Sequence, residues 1–248
     1  MPPKTIQENA IFIADSHHHS IYNNNLDKFF LYLATLSKRQ IFLMGDIFDF
    51  LVGGVSNSFR ENKTTLELLE KLSHIHEIYY FEGNHDFLLK NSSYFKNIQY
   101  FSYTSQPVIF SLNNQNIYLS HGDIAISYGY RFYTFFIRSR FVISFLNFFS
   151  CILYPKIISH LKKKNNGYNQ KDFIFLAKKR IKHYLAKYQM PPRSIIVEGH
   201  YHHGKMENMD NILYLNLPPF TCKKNYFVVE FQNSCLSFIQ KEFKSDKY

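Results

Sequence analysis

Short apolar runs punctuate the chain at near-regular intervals. Ile11–Ala14, Ile41–Met44, Ile78–Phe81, Ile117–Leu119 and Ile195–Val197 are each followed within a residue or two by glycine, histidine or a carboxylate. Runs of this length with abrupt polar ends predict buried strands. Leu26–Ser37 and Thr64–Ile75 instead carry helical spacing, with Leu66, Leu69 and Leu72 on one face. Strand–helix–strand alternation predicts βαβ units and parallel pairing at the start of the chain. Near the end, Ile212–Leu217, Tyr226–Phe231 and Leu236–Gln240 are joined by short polar turns and predict an antiparallel meander.

The stretch between the fourth and fifth runs breaks this rhythm. Phe141–Tyr154 is apolar and uncharged, with Ser144, Asn147 and Cys151 spaced as a narrow polar stripe on one helix. Pro155 predicts a break, Lys162–Gly167 a loop, and Lys171–Tyr188 a second helix ended by Pro191-Pro192. Phe141–Tyr154 falls short of the roughly 17–25 apolar residues that cross a bilayer, but such a segment suits a membrane interface.

Charge sharpens that picture. The 248 residues carry 29 Lys+Arg and 19 Asp+Glu, a net of +10. From Arg131 to Arg193 there are 14 bases and one acid, Asp172, so the excess sits in this one stretch. That predicts an anionic partner for it: phospholipid, nucleic acid or an acidic substrate. Disorder and a disulfide scaffold are excluded by 46% hydrophobic residues and three scattered cysteines, Cys151, Cys222 and Cys235. The sparse cysteines predict a reducing compartment, and the polar Met1–Asn9 carries no apolar segment of a signal peptide.

The chemistry lies at the strand ends. Asp15-Ser16-His17, Gly45-Asp46-Ile47-Phe48-Asp49, Gly83-Asn84-His85-Asp86, His121-Gly122-Asp123 and Gly199-His200-Tyr201-His202 follow the five predicted strands. Ligands of α/β sheets bind beyond the carboxyl ends of strands, so these clusters are expected to converge. Imidazoles mixed with carboxylates suit Mn, Fe, Zn or Co. A carboxylate such as Asp46 has two oxygens and can bridge two ions, and such a pair clamps a phosphoryl group. His18, His19 and His203 flank the clusters and are expected to support ligands or face solvent.

In that order the blocks DxH, GDxxD, GNHD, HGD and GHxH resemble the calcineurin-like metallophosphoesterases, over residues 15 to 202. The resemblance implies a four-layer α/β/β/α sandwich of two mixed sheets. It implies one domain over 1–248, with a helical insert at about 128–192. It implies two divalent ions, with Mn²⁺ first and Fe, Zn or Co as alternatives. Asp15, His17, Asp46 and His202 would hold one ion, and Asp46, Asn84, His121 and His200 the other. His85 falls on the family's catalytic histidine, with Asp46 beside it in the catalytic centre, and Asp49 and Asp86 are expected to support the ligands.

The HGD block and the long basic, aromatic insert look most like the branch that hydrolyses UDP-2,3-diacylglucosamine in lipid A synthesis. That likeness implies a glycolipid nucleotide substrate met by Asn84, His85, Arg131, Arg138 and Arg140. It also implies a cytoplasmic protein docked on the anionic inner face of the membrane, with nucleic acid the lesser partner. The stripe Phe135, Phe141, Phe145, Phe148, Phe149 and Ile152 is expected either to pack on the catalytic body or to form an acyl-chain slot. Two positions differ from that branch: His85 stands in place of arginine, and Ile124–Tyr130 lacks an acidic pair. A nucleotide or cyclic-nucleotide phosphodiesterase, and a catalytically silent metal-binding scaffold, are the alternative readings.

Overall fold

A computed structural model describes residues 3–124, 127–165, 172–232 and 235–244. In chain order its strands are β1 (Lys4–Thr5), β2 (Ile11–Ile13), β3 (Gln40–Leu43), β4 (Leu51–Val52), β5 (Glu77–Phe81), β6 (Asp86–Phe87), β7 (Gln99–Phe101), β8 (Val108–Leu112), β9 (Gln115–Ser120), β10 (Ile195–Glu198), β11 (Lys205–Met209), β12 (Ile212–Asn216), β13 (Asn225–Gln232) and β14 (Cys235–Glu242). The α-helices are α1 (Asn25–Ala34), α2 (Ser56–Glu61), α3 (Lys63–Ile75), α4 (Tyr128–Ile137), α5 (Arg140–Phe148), α6 (Ser150–Asn165), α7 (Phe173–Tyr188) and α8 (Phe220–Lys223).

Two mixed six-stranded sheets result, ordered β14-β13-β2-β3-β5-β7 and β1-β8-β9-β10-β12-β11. Alternation along each strand sorts side chains into layers. Phe12, Phe42, Tyr79 and Phe81 of the first sheet meet Phe110, Ile117, Leu119, Val197 and Leu215 of the second in a core between the sheets. The opposite face of the first sheet, with Ile11, Ile13, Ile41 and Tyr80, is covered by Phe29, Phe30 and Leu33 of α1 and Leu66, Leu69 and Leu72 of α3. The opposite face of the second, with Tyr118, Ile196 and Tyr214, is covered by Ala177, Ile181 and Tyr184 of α7. This is the four-layer sandwich expected. A small pair, β4 and β6, lies outside both sheets and packs Val52 and Phe87 on Ile143 of α5.

The C-terminal meander does not form. β12 pairs parallel with β10 and antiparallel with β11 in one sheet, whereas β13 and β14 form a hairpin on the edge of the other. Each run is a strand; its pairing is decided by which sheet has an open edge. The single apolar helix over Phe141–Tyr154 is also two, α5 and α6, bent by 101° at a break that leaves out only Phe149. Pro155 lies inside α6, which continues through Lys162 to Asn165. Its missing N–H leaves one carbonyl without a helical partner but does not end the helix. The rest of the predicted Lys162–Gly167 loop, from residue 166, lies outside the described residues.

The polar stripe has partners. Asn147 Oδ1 accepts from the Ser56 amide at 2.9 Å, and Cys151 Sγ lies 3.8 Å from Asn57 Nδ2. Among the described residues no single helix is long and apolar enough to cross a membrane.

Candidate metal centre

β2, β3 and β5 run parallel in one sheet, and β9 and β10 run parallel in the other. Their carboxyl ends open at the same edge of the sandwich, and all five clusters meet there. Asp15, His17 and His202 bring one ligand-type atom each within 4.8 Å of the others, and so do Asp46, His121 and His200. Each group draws on both sheets. His202 Nε2 is 3.0 Å from Asp15 Oδ1, and His121 Nε2 is 3.4 Å from Asp46 Oδ2. Asn84 Oδ1 lies 3.3 Å from the same His121 nitrogen.

The backbone is bent to make this possible. Asp15, His17, Asp46, His200 and His202 all have positive φ, between 42° and 63°. Such conformations are costly for residues with a Cβ and concentrate at functional sites. The glycines beside them give room. A Cβ on Gly83 would stand 2.2 Å from Asp46 Oδ1, and one on Gly45 2.4 Å from His121 Nδ1.

Asp86 organises the loop after β3. Its carboxylate accepts from the amides of Asp46, Ile47, Phe48 and Gly83 and from the Tyr80 hydroxyl, at 2.5–3.2 Å. Burial and the nearby Asp46 carboxylate push its acid up, to about 7, against the pull of these donors. Asp49 lies 3.6 Å from Nδ1 of both His17 and His85. Asp15 accepts the His200 amide at 2.9 Å.

The donor set fits divalent cations. Both ring nitrogens of His17 are buried without a hydrogen-bond partner among the described residues. Burial and the neighbouring His121 push His200 down to about 3. Burial opposes charge on Asp46, yet His121, His85 and His17 hold its carboxyl well below the usual range. Burial likewise opposes a proton on His85, but Asp46 and Asp49 raise it to about 9. Several buried carboxylates thus face imidazoles, a charge balance that cations complete. Two such ions would find Asp15, His17 and His202 on one side and Asn84, His121 and His200 on the other, with Asp46 between them.

The flanking histidines have other partners. His18 Nε2 pairs with Thr65 Oγ1 at 2.8 Å, and His19 Nε2 with the Tyr154 hydroxyl of α6 at 2.9 Å. The His203 ring packs on Phe173.

The basic residues expected at the substrate divide. Arg140 is exposed. Arg131, also exposed, lines a cavity of about 630 Å³ with Tyr103, Tyr128, His183 and Lys187. Arg138 turns inward to Glu82 and to the Gly83 carbonyl.

Sequence reasoning missed a buried network behind the centre. Glu198, at the end of β10, accepts from Arg180 Nε and Nη2, Tyr184, Tyr214 and Ser120 at 2.5–3.2 Å. Burial and Glu198 push both phenols well above their ordinary range, so they stay donors. The signal was present: Arg180 falls between Ala177, Ile181 and Tyr184 on the apolar face of α7.

A sequence model of the calcineurin-like phosphoesterase family matches residues 9–214. The chain is 24% identical over 222 residues to the UDP-2,3-diacylglucosamine hydrolase of Wigglesworthia glossinidia brevipalpis, covering 83% of this chain and 84% of that one. Among solved structures it is similar to an archaeal phosphodiesterase, at 12% identity and TM-score 0.46, covering 94% of this chain and 99% of that one. The phosphoesterase Yfce of E. coli aligns at 13% identity and TM-score 0.41, covering 95% and 100%.

Proposed function

Because the chain belongs to the calcineurin-like phosphoesterase family, we propose that it uses two divalent ions, Mn²⁺ first among them, to hydrolyse the pyrophosphate bond of UDP-2,3-diacylglucosamine. The products are UMP and 2,3-diacylglucosamine 1-phosphate. The observation that carries the chemistry is the meeting of Asp15, His17 and His202 with Asp46, His121 and His200 across two sheets. Asp15, His17, Asp46 and His202 hold one ion, and Asp46, Asn84, His121 and His200 the other. When bound, such ions make water nucleophilic near neutral pH and offset charge on phosphoryl oxygens.

The chain's own groups do the rest. His85 donates Nδ1–H to the Asp49 carbonyl oxygen at 2.8 Å, which fixes its ring and leaves Nε2 to carry a proton to the departing phosphate oxygen. The Asp46 carboxylate anchors the His85 amide at 2.8 Å, so ligand and proton donor move together.

The substrate reading rests on the named relative and on the insert. Phe132, Phe135, Phe141 and Phe148 are 73–81% exposed, a patch of the kind that marks an interaction surface. Arg131, Arg140 and Lys156 of the same insert are exposed too. Aromatic and basic groups together suit an anionic lipid surface, which supports docking on the inner face of the membrane. A cavity of about 480 Å³ lined by Ile21, Tyr22, Tyr154, Pro155 and Ile158, with Arg60 and Lys162, is our assignment for an acyl chain. A second reading, a nucleotide or cyclic-nucleotide phosphodiesterase, is favoured by His85 where the lipid-cleaving branch carries arginine.

The test is hydrolysis of UDP-2,3-diacylglucosamine in detergent micelles with Mn²⁺, beside bis-p-nitrophenyl phosphate and a cyclic nucleotide. UMP release at a kcat/KM at least about a hundredfold above both supports the lipid substrate, a gap of about 2.7 kcal/mol in transition-state binding. Preference for the cyclic nucleotide overturns it in favour of the second reading.

A further inference from the structure

Most bases of the insert face solvent; Arg138 does not. Its Nε donates to Glu82 Oε1 at 2.7 Å, its Nη2 to the Gly83 carbonyl at 3.1 Å and its Nη1 to the Thr134 carbonyl at 3.4 Å. Its guanidinium lies 4.6 Å from the Phe87 ring centroid and 5.1 Å from that of Tyr103. Glu82 is 2% exposed, and its other oxygen takes the Tyr100 hydroxyl at 2.7 Å. This is a planar, aromatic-stacked, charge-assisted clamp that a lysine cannot reproduce.

What the clamp grips gives it consequence. Glu82 and Gly83 run straight into Asn84 and His85. Gly83 has no slack, since an added Cβ there would collide with Asp46. From the connection ahead of β8, Gln106 Nε2 donates to the Glu82 carbonyl at 2.9 Å while its Oε1 accepts the His121 amide at 2.6 Å. The strand end that carries Asn84 and His85 is therefore held by the insert on one side and strapped to His121 on the other.

We propose that Arg138 is a positioning residue of the metal centre, setting Asn84 and His85 through Glu82 and Gly83, so that the insert is part of the catalytic architecture as well as a substrate surface. The proposal rests on the two-metal phosphoesterase reading and concerns the same centre. A residue that only fastened the insert would act on the lipid substrate, through KM. A positioning residue acts on small substrates too, through kcat, and on metal affinity.

The test uses the full chain with Arg138→Met, Arg138→Lys, Glu82→Gln and the Arg138→Met/Glu82→Gln double variant. Mn²⁺ binding is read from the electron paramagnetic resonance signal of free Mn²⁺, turnover with bis-p-nitrophenyl phosphate, and folding from thermal melting. Arg138→Met is expected to weaken binding of one Mn²⁺ and lower kcat, each by about tenfold or more, with KM little changed. Arg138→Lys, which keeps charge without the fork, recovers only part. The double variant is no worse than the more damaging single one, because both break one link. Wild-type Mn²⁺ affinity and kcat in folded Arg138→Met overturn the proposal. If the wild type hydrolyses neither bis-p-nitrophenyl phosphate nor UDP-2,3-diacylglucosamine, the phosphoesterase reading falls, while Mn²⁺ affinity still decides the role of Arg138.

Discussion

Asparagine at position 46 lowers hydrolysis of any phosphodiester by roughly a thousandfold while the chain stays folded, the scale of losing one centrally placed charge-stabilising group. The substitution is chosen to be quiet elsewhere. Asp46 has φ of 50°, a region asparagine tolerates better than most residues. The oxygen that accepts the His85 amide is retained by the amide side chain. What is lost is the second carboxylate oxygen, 3.4 Å from His121 Nε2, and with it the charge by which one residue serves two ions. Circular dichroism and melting check the fold, and initial rates with bis-p-nitrophenyl phosphate and Mn²⁺ check the chemistry. Activity within about tenfold of wild type would remove Asp46 from the bridging role.

Alanine at position 198 acts through stability instead. Glu198 is fully buried and Arg180 nearly so, and Arg180 donates two hydrogen bonds to it, of 2.5 and 2.9 Å. Removing one partner strands the other charge, at a cost of about 3–5 kcal/mol. For a chain of this size that lowers Tm by roughly 6–20 °C. Tyr184 and Tyr214 lose their acceptor as well, which pushes the loss to the upper end. Because Gly199 and His200 follow at once, the variant that folds at low temperature is also expected to bind metal poorly. Adding Arg180→Met to Glu198→Ala should restore part of the Tm, since the buried cation then goes too. A Tm unchanged within about 2 °C would show that the pair contributes little.

Much of the site was legible before any coordinates. Each of the five clusters follows a run apolar enough to be a buried strand, and parallel strands deliver their carboxyl ends to one edge. That argument needs no knowledge of the pairing. For the same reason it failed where pairing mattered. β12 and β13 look alike as apolar runs, yet one fills the second sheet and the other caps the first. β11, Lys-Met-Glu-Asn-Met, is a polar edge strand with no apolar run to betray it. The bend between α5 and α6 and the helical Pro155 escaped because an apolar stretch shows where a helix can pack, not where it turns. The sequence groups Arg138 with Arg131 and Arg140 as a substrate base because charge alone does not show which way a side chain points. Its partners Glu82 and Gly83 are 56 and 55 positions away along the chain, and only the fold brings them together.

The most direct measurement is metal content against activity. Wild-type chain is stripped with a chelator, reloaded with Mn²⁺ and assayed with bis-p-nitrophenyl phosphate, and the bound metal is counted by mass spectrometry. Two ions per chain, no turnover in the stripped protein, and recovery only as the second ion binds are expected from the groups Asp15, His17 and His202 and Asp46, His121 and His200. Full turnover after stripping, or saturation of activity with a single ion, would contradict a two-metal phosphoesterase built on these residues.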